Sequence, residues 1–280
     1  MENLYGVIGC PIAHSMSPAI HNDAFENLKI DAHYGAFHVE PENLKAAIEG
    51  IKALGVKGFN VTIPHKIDII PLLDEVHKTA EIIGAVNTVV NDNGKLIGYN
   101  TDGNGYVESL KSNLTKSLTA NRFLIIGAGG AARAIYYTLS SEGCTQIDLC
   151  NRTVEKAEKL VNDCPFEHES RFITIRQAEQ ELEEYDVIIN TTASGLHPNV
   201  NEQPISLKMA KEGSIISDII YNPIETALLK EAKERGLIVH NGVGMFVYQA
   251  ALAFKLWTGE EPDIKRMESI VYEKLGGNIC

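Results

Sequence analysis

At 280 residues the chain has room for one large domain or two modest ones, each able to bury a core. Apolar residues make up 44% and charged residues 22%, which excludes a disordered chain, and no apolar run approaches membrane-spanning length. A formal net charge of −12 repels phosphate backbones and anionic lipid, so nucleic acid and membrane are not expected partners. An anionic ligand must then be held by a local group of donors. The five cysteines, Cys10, Cys144, Cys150, Cys164 and Cys280, are odd in number and show no CxxC or Cys/His ligand spacing, so they read as reduced thiols. With no basic stretch ahead of its first strand, the chain is expected in the cytoplasm.

In chain order, Leu4 to Gly9 reads as a buried strand, Ser17-Pro18 opens a helix with a Ser cap, and Ala32 to Val39 is a second strand. Glu42 to Leu54 has helical spacing through Leu44, Ile48 and Ile51, Gly55 ends it, and Gly58 to Ile63 returns to strand. A helix is expected to begin after Pro64. Val86 to Val90 and Leu96 to Tyr99 flank Asn91-Asp92-Asn93-Gly94, whose Asn-Gly pair favours a tight hairpin. A linking helix is expected from Asp102 to Leu114. Strands at Phe123 to Ile126, Ile147 to Cys150, Val187 to Asn190, Ile215 to Asp218 and Leu237 to His240 then alternate with helices, and helices at Met245 to Trp257 and Ile264 to Leu275 close the chain.

This order predicts an α/β protein of two domains. Residues 1–102 with 243–280 form an α/β substrate domain with a mainly parallel sheet, on which the C-terminal helices pack back. Residues 103–242 form a Rossmann-like, NADP-binding domain. No internal repeat or low-complexity segment interrupts them.

The strand Phe123 to Ile126 runs into Gly127-Ala128-Gly129-Gly130-Ala131-Ala132 and then into a helix, the order of a dinucleotide site. Gly127 permits the tight turn, Gly129 lets a pyrophosphate approach the backbone, and Ala132 lets the helix sit close to the strand. Where an NAD enzyme carries an acid for the ribose hydroxyl, the chain has Asn151-Arg152-Thr153. Arg152 can pair with a 2′-phosphate, Thr153 can donate its hydroxyl, and Lys156 lies one helical turn on, so NADP(H) is the expected cofactor. The plainer alternative is a helix-capping Thr153 beside a solvated Arg152.

Ser15 and Ser17 are two apart in an extended segment before a helix N-terminus, a place that suits a carboxylate. Asn60 and Thr62 share a face of their strand by the period of two, and Lys66 follows. Asn87, Thr62, Asn100 and Gln249 can each donate and accept, as a polyhydroxylated ring requires. A cap, a turn or a solvated helix position is the ordinary role for each.

As a set, these clusters are more specific. Gly9 to Pro18, Asn60 to Lys66, Gly84 to Thr88, Asn100 to Gly103 and Gly242 to Ala250 together make a chain that resembles the shikimate dehydrogenase family over nearly its whole length. The resemblance implies reversible, NADPH-dependent reduction of 3-dehydroshikimate to shikimate, with Lys66 and Asp102 as the catalytic pair. It implies that Ser15 and Ser17 hold the substrate carboxylate and that Thr62, Asn87, Gln249 and Tyr221 contact substrate, with Asn60 in the same group. It places Thr191, Gly242 and Met245 on the nicotinamide side.

Within that family, a quinate or dual quinate/shikimate dehydrogenase is the near alternative, and a non-catalytic shikimate-binding protein the distant one. Ser17 favours shikimate over quinate by resemblance, and intact Lys66 and Asp102 favour catalysis over binding alone. No metal is expected: His14, His21, His65, His197 and His240 have no ligand spacing, and HExxH and GxSxG are missing. The sequence leaves oligomeric state open, a homodimer being one arrangement it allows.

Overall fold

The computed structural model describes residues 2–276; Cys280 and the rest of 277–280, which the sequence reading assigned to the first domain, lie outside the described residues. The chain divides into two compact units, residues 2–101 with 249–274, and residues 102–248.

The first unit contains β1 (Asn3–Gly9), α1 (Ser17–Asn27), β2 (Ala32–His38), α2 (Leu44–Ala53), β3 (Gly58–Val61), β4 (Glu75–Val76), α3 (Lys78–Ile83), β5 (Thr88–Asp92) and β6 (Lys95–Tyr99). Its sheet has the order β2-β1-β3-β5-β6-β4. β1 pairs in parallel with β2 and β3, and β4 with β6, while β5 runs antiparallel to both β3 and β6. A single reversed strand therefore leaves the carboxyl ends of β1, β2, β3, β4 and β6 at one edge, together with the start of β5. The reversal is made by the expected hairpin: Asn93 and Gly94 both have positive φ, and the Asn91 side chain accepts from the Gly94 amide at 2.7 Å.

Two local expectations are corrected. The N-cap of α1 is Met16 and makes no side-chain cap bond, so Ser17 is the first residue inside the helix; the Ser17 amide instead donates to Ser15 Oγ at 3.3 Å. After Pro64 the backbone makes a series of turns through 69 and a single 3-10 turn at Ile70–Leu72. Pro71 explains why no helix propagates there, since it has no amide hydrogen to donate and restrains the residue before it.

The second unit begins with α4 (Asp102–Lys111). It continues through β7 (Phe123–Ile126), α5 (Gly130–Ser141), β8 (Ile147–Cys150), α6 (Val154–Asn162), β9 (Phe172–Ile173), α7 (Ile175–Gln180), β10 (Val187–Asn190), β11 (Ile215–Asp218), α8 (Ala227–Glu234) and β12 (Ile238–His240). Four of the expected strands match residue for residue. All pairings are parallel in the order β12-β11-β10-β7-β8-β9. That is the doubly wound order of a dinucleotide-binding fold, with its topological switch between β7 and β10. The strands are buried on both faces and accordingly read as continuous apolar runs.

α9 (Gly242–Thr258) starts in the second unit, and its residues from Gln249 belong to the first, as does α10 (Ile264–Lys274). The sequence reading had grouped residues from 243 onward, and Asp102, with the first domain. In the structure, 243–248 and Asp102 belong to the second unit. The Trp257 indole donates to the Val89 carbonyl at 2.9 Å and packs at tilted angles against Tyr5, His21 and Tyr34, while Arg266 of α10 pairs with Asp23 of α1. Those contacts fix the C-terminal helices on the first unit. Among the described residues, no helix is long and apolar enough to cross a membrane.

Candidate functional site

In the first unit the expected substrate residues gather at the carboxyl edge of the sheet because that is where the strand order delivers them. β1 leads to Ser15 and Ser17, β3 to Thr62 and Lys66, β6 to Asn100 and Thr101, and reversed β5 begins just after Asn87. The loops are pinned to one another by backbone bonds: Val61 N to Asn87 O at 2.8 Å, Asn87 N to Tyr99 O at 3.0 Å, and Val86 N to Lys66 O at 2.8 Å. His65, fully buried, reaches the Val39 carbonyl at 2.7 Å and anchors the turn that carries Lys66.

A buried chain of side-chain hydrogen bonds runs through this edge. Burial pushes the Tyr34 phenol well above its ordinary value, an effect that a hydrogen bond with Ser17 partly offsets. The Tyr34 hydroxyl donates to Asn60 Oδ1 at 2.7 Å, and Asn60 Nδ2 donates to Thr88 Oγ1 and to the Asn87 carbonyl, both at 3.1 Å. Thr88 Oγ1 donates to Asn87 Oδ1 at 3.0 Å, and the Thr101 amide donates to the same oxygen at 2.8 Å. Asn87 Nδ2 in turn donates to Thr101 Oγ1 at 2.9 Å and Gln249 Oε1 at 3.4 Å. Ser17, Asn60, Asn87 and Gln249 are therefore linked, whereas Ser15, Thr62 and Lys66 stand on the loops beside them, partly exposed.

Asn60 spends both amide hydrogens and a carbonyl lone pair inside the protein, so it is built to hold its neighbours in place. Sequence reasoning missed Tyr34, Thr88 and Thr101. Tyr34 carries the one available signal, a polar tip on an expected strand, which when buried demands a partner. Asn100 donates to the Ala85 carbonyl at 3.0 Å, in keeping with a loop-shaping part.

In the second unit Asp102 is the first residue of α4, largely buried, and Gly103 beside it lies against the Ala134 carbonyl and Thr138 of α5, where a Cβ would collide. Gly127 has φ +115, so it adopts a backbone that other residues rarely take, and it sits against Thr191. The Thr191 hydroxyl donates to the Ile126 carbonyl at 2.7 Å across the β7/β10 switch. Gly129 and Gly130 have no atom within reach of an added Cβ, and Gly129 has ordinary extended dihedrals. Neither protein packing nor backbone strain demands glycine there, and the bare backbone is open to a group from outside the protein. α5 has no side-chain cap, leaving its first amides and Ala128 and Ala131 around them for an anion.

The ribose end fits equally. Thr153 occupies the N-cap position of α6, yet its hydroxyl makes no cap bond, which removes the plain capping role. Asn151 donates to the Thr153 carbonyl at 2.8 Å and shapes the turn. Arg152 and Lys156 are exposed and enter no ion pair among the described residues. Two cations and an unused hydroxyl at the end of β8 suit a phosphate. Tyr221 stacks on Phe246 at 4.7 Å, and Gly242 packs so closely on the Ile219 carbonyl that a side chain is excluded, with Met245 partly buried on the next turn of α9.

At the carboxyl edge of the first sheet the structure also assembles Cys10, His38 and Glu40, although the sequence shows no ligand spacing among them and none was expected.

With this geometry in view, comparison with known proteins is decisive. Residues 7–89 match the shikimate dehydrogenase substrate binding domain, 109–228 the shikimate/quinate 5-dehydrogenase model, and 242–272 the shikimate 5′-dehydrogenase C-terminal domain. A Geobacillus sp. (strain WCH70) protein named shikimate dehydrogenase (NADP(+)) is 58% identical over 99% of this chain and 100% of its own. The chain belongs to the shikimate dehydrogenase family. Among solved members, a shikimate dehydrogenase in complex with NADP+ superposes with TM-score 0.91 at 43% identity, covering 98% of this chain and 96% of its own. The Thermus thermophilus enzyme, in complex with NADP(H) and shikimate, gives 0.88 at 34% identity over 97% and 99%.

One buried acid in the family fold has a measurable consequence. Burial raises the Asp218 carboxyl to about 6, against hydrogen bonds from the Ile220 amide, Thr226 Oγ1 and Asn190 Nδ2. Because the folded state holds this proton more tightly than the unfolded chain, the contribution is fully present below about pH 4 and is lost as pH rises through about 6. Denaturant titrations should show wild type losing roughly 2–3 kcal/mol relative to Asp218→Asn between those limits; parallel pH profiles would contradict the assignment.

Proposed function

We propose that this chain is a cytoplasmic, NADP-dependent shikimate dehydrogenase that reversibly reduces 3-dehydroshikimate to shikimate. The observation that carries the reading is that one unit of the chain has a hydroxyl- and amide-rich sheet edge bearing Lys66 and the other an uncapped glycine cradle and a cationic β8 end. The first suits a polyhydroxylated carboxylate and the second an adenosine 2′-phosphate dinucleotide. Lys66, Asp102 and the substrate contacts are carried here as proposals.

In this reading the first-turn amides of α5, with Gly129 and Gly130 offering bare backbone, hold the diphosphate. Arg152, Thr153 and Lys156 hold the 2′-phosphate, and Thr191, Gly242 and Met245 flank the nicotinamide. Bound NADPH supplies the hydride. Ser15 and Ser17 donate hydroxyls to the substrate carboxylate at the start of α1, where the helix dipole adds to them. Thr62, Asn87 and Gln249 contact the ring hydroxyls, Tyr221 borders them, and Asn60 keeps Asn87 in place.

Reduction of a ring ketone builds negative charge on oxygen, which must gain a proton. The Lys66 ammonium stabilises that charge and delivers or orients the proton, and the Asp102 carboxylate is proposed to accept from a substrate hydroxyl. A positioned cation helps the transition state more than the ground state, so its removal reads mainly in kcat.

Absorbance at 340 nm with shikimate or quinate and NADP or NAD tests the assignment: the expected result is strong preference for shikimate with NADP, and quinate turnover alone or no turnover overturns it. Lys66→Ala should lower kcat at least about a hundredfold with a small change in the KM for shikimate. A change confined to KM would reassign the residue to binding. Arg152→Ala should lower the NADP/NAD ratio of kcat/KM about tenfold or more, as loss of a charge-assisted phosphate contact does; an unchanged ratio removes Arg152 from cofactor selection.

A further inference from the structure

We propose that Cys10, His38 and Glu40 form a surface site for a single borderline divalent cation of the zinc type. The three residues come from two chain segments that the parallel register brings side by side: Gly9 of β1 pairs with His38 at the end of β2, and Cys10 and Glu40 follow each strand. His38 and Glu40 are two apart on extended backbone and face the same way, while Val39 between them turns into the core. Sequence spacing could not reveal this set, because the thiol and the imidazole are 28 positions apart.

One ligand atom from each residue lies within 4.8 Å of the others. Cys10 Sγ is 3.2 Å from Glu40 Oε2 and 3.6 Å from His38 Nε2, and His38 Nε2 is 2.8 Å from Glu40 Oε1. Tetrahedral zinc with bonds of about 2.0–2.3 Å holds its ligands about 3.3–3.6 Å apart. The sulfur–imidazole edge matches, and because Glu40 turns Oε2 to the sulfur and Oε1 to the imidazole, its carboxylate rotates to offer one oxygen when a metal replaces the proton it shares.

The backbone under the site is fixed. The Cys10 amide donates to the Ile63 carbonyl at 3.0 Å, the Val39 amide to the Gly9 carbonyl at 3.1 Å, and the Val39 carbonyl takes the His65 ring at 2.7 Å. A rigid frame spares the ion the entropy of gathering its ligands. Thiolate and imidazole select zinc or cobalt over magnesium or calcium, which prefer oxygen. His38 and Glu40 are each about half exposed, at 51% and 49%, so water completes the fourth position.

The Cys10 thiol donates its proton to Glu40 Oε2 at 3.2 Å. Binding transfers that proton to solvent while the sulfur lone pair forms the bond to the metal. The ion then pins the first residue of the segment that leads to Ser15.

The test is a titration of the full chain with Co2+ in the absence of thiol reagents. The expected result is a near-ultraviolet thiolate-to-cobalt charge-transfer band saturating at one equivalent, displaced by Zn2+, lost in Cys10→Ser and weakened at least about tenfold in affinity by His38→Ala. Alkylation of wild-type Cys10, mapped by mass spectrometry, should slow at least about tenfold when Zn2+ is added, a readout that does not depend on any variant folding. A band that persists in Cys10→Ser, no band at all, or an alkylation rate indifferent to Zn2+ overturns the proposal and leaves the triad a hydrogen-bonded cluster.

Discussion

A carbonyl or hydroxyl buried away from water must be given a partner or it costs the full loss of its hydration, and that requirement organises the first unit. Tyr34 brings a phenol into the core, Asn60 accepts from it, and Asn60 must then place its own amide hydrogens, which it does on Thr88 and Asn87. Asn87 passes the demand to Thr101 and Gln249. Each member fixes the donors and acceptors of the next. The result is a set of oriented polar groups held in the geometry they present to a ligand, which is the precondition for recognising one arrangement of ring hydroxyls over another.

The chain topology puts that set where it can be used. One reversed strand in the first sheet delivers five strand ends and one strand start to the same edge, and in the second sheet the β7/β10 switch delivers Gly127 and Thr191. Ligand sites at the carboxyl ends of such sheets follow from loops meeting helix N-termini there. The glycines divide along the same line: Gly103 and Gly242 are demanded by neighbouring protein, whereas Gly129 and Gly130 face open space.

Much of this was legible in the residues. The Rossmann-like unit reads plainly because its parallel strands are continuous apolar runs bounded by glycine and polar ends, and β7, β8, β10 and β11 fall where the pattern puts them. The first unit is harder, since its short β4 and α3 carry too few residues for a period to show. Ser17 looked like a helix cap because Ser-Pro is the usual sequence of one. Its actual position is set by Ser15 Oγ taking its amide, a contact that depends on the fold of the loop. Tyr34 and Thr101 escape the sequence because their importance lies in which residues surround them, and the strand order that brings β2, β3, β5 and β6 into one sheet is not written into local pattern. The Cys10, His38 and Glu40 cluster escaped for the same reason.

The buried chain from Ser17 through Tyr34 and Asn60 to Asn87 and Gln249 sets the orientation of the polar groups at this sheet edge, those proposed to meet the substrate. Steady-state kinetics of Tyr34→Phe tests it most directly, since the change deletes one hydroxyl and leaves the ring. The account expects the KM for shikimate to rise about tenfold, a loss of roughly 1.4 kcal/mol, with the KM for NADP unchanged and the fold intact by circular dichroism. Wild-type values for both, in a folded variant, would contradict it.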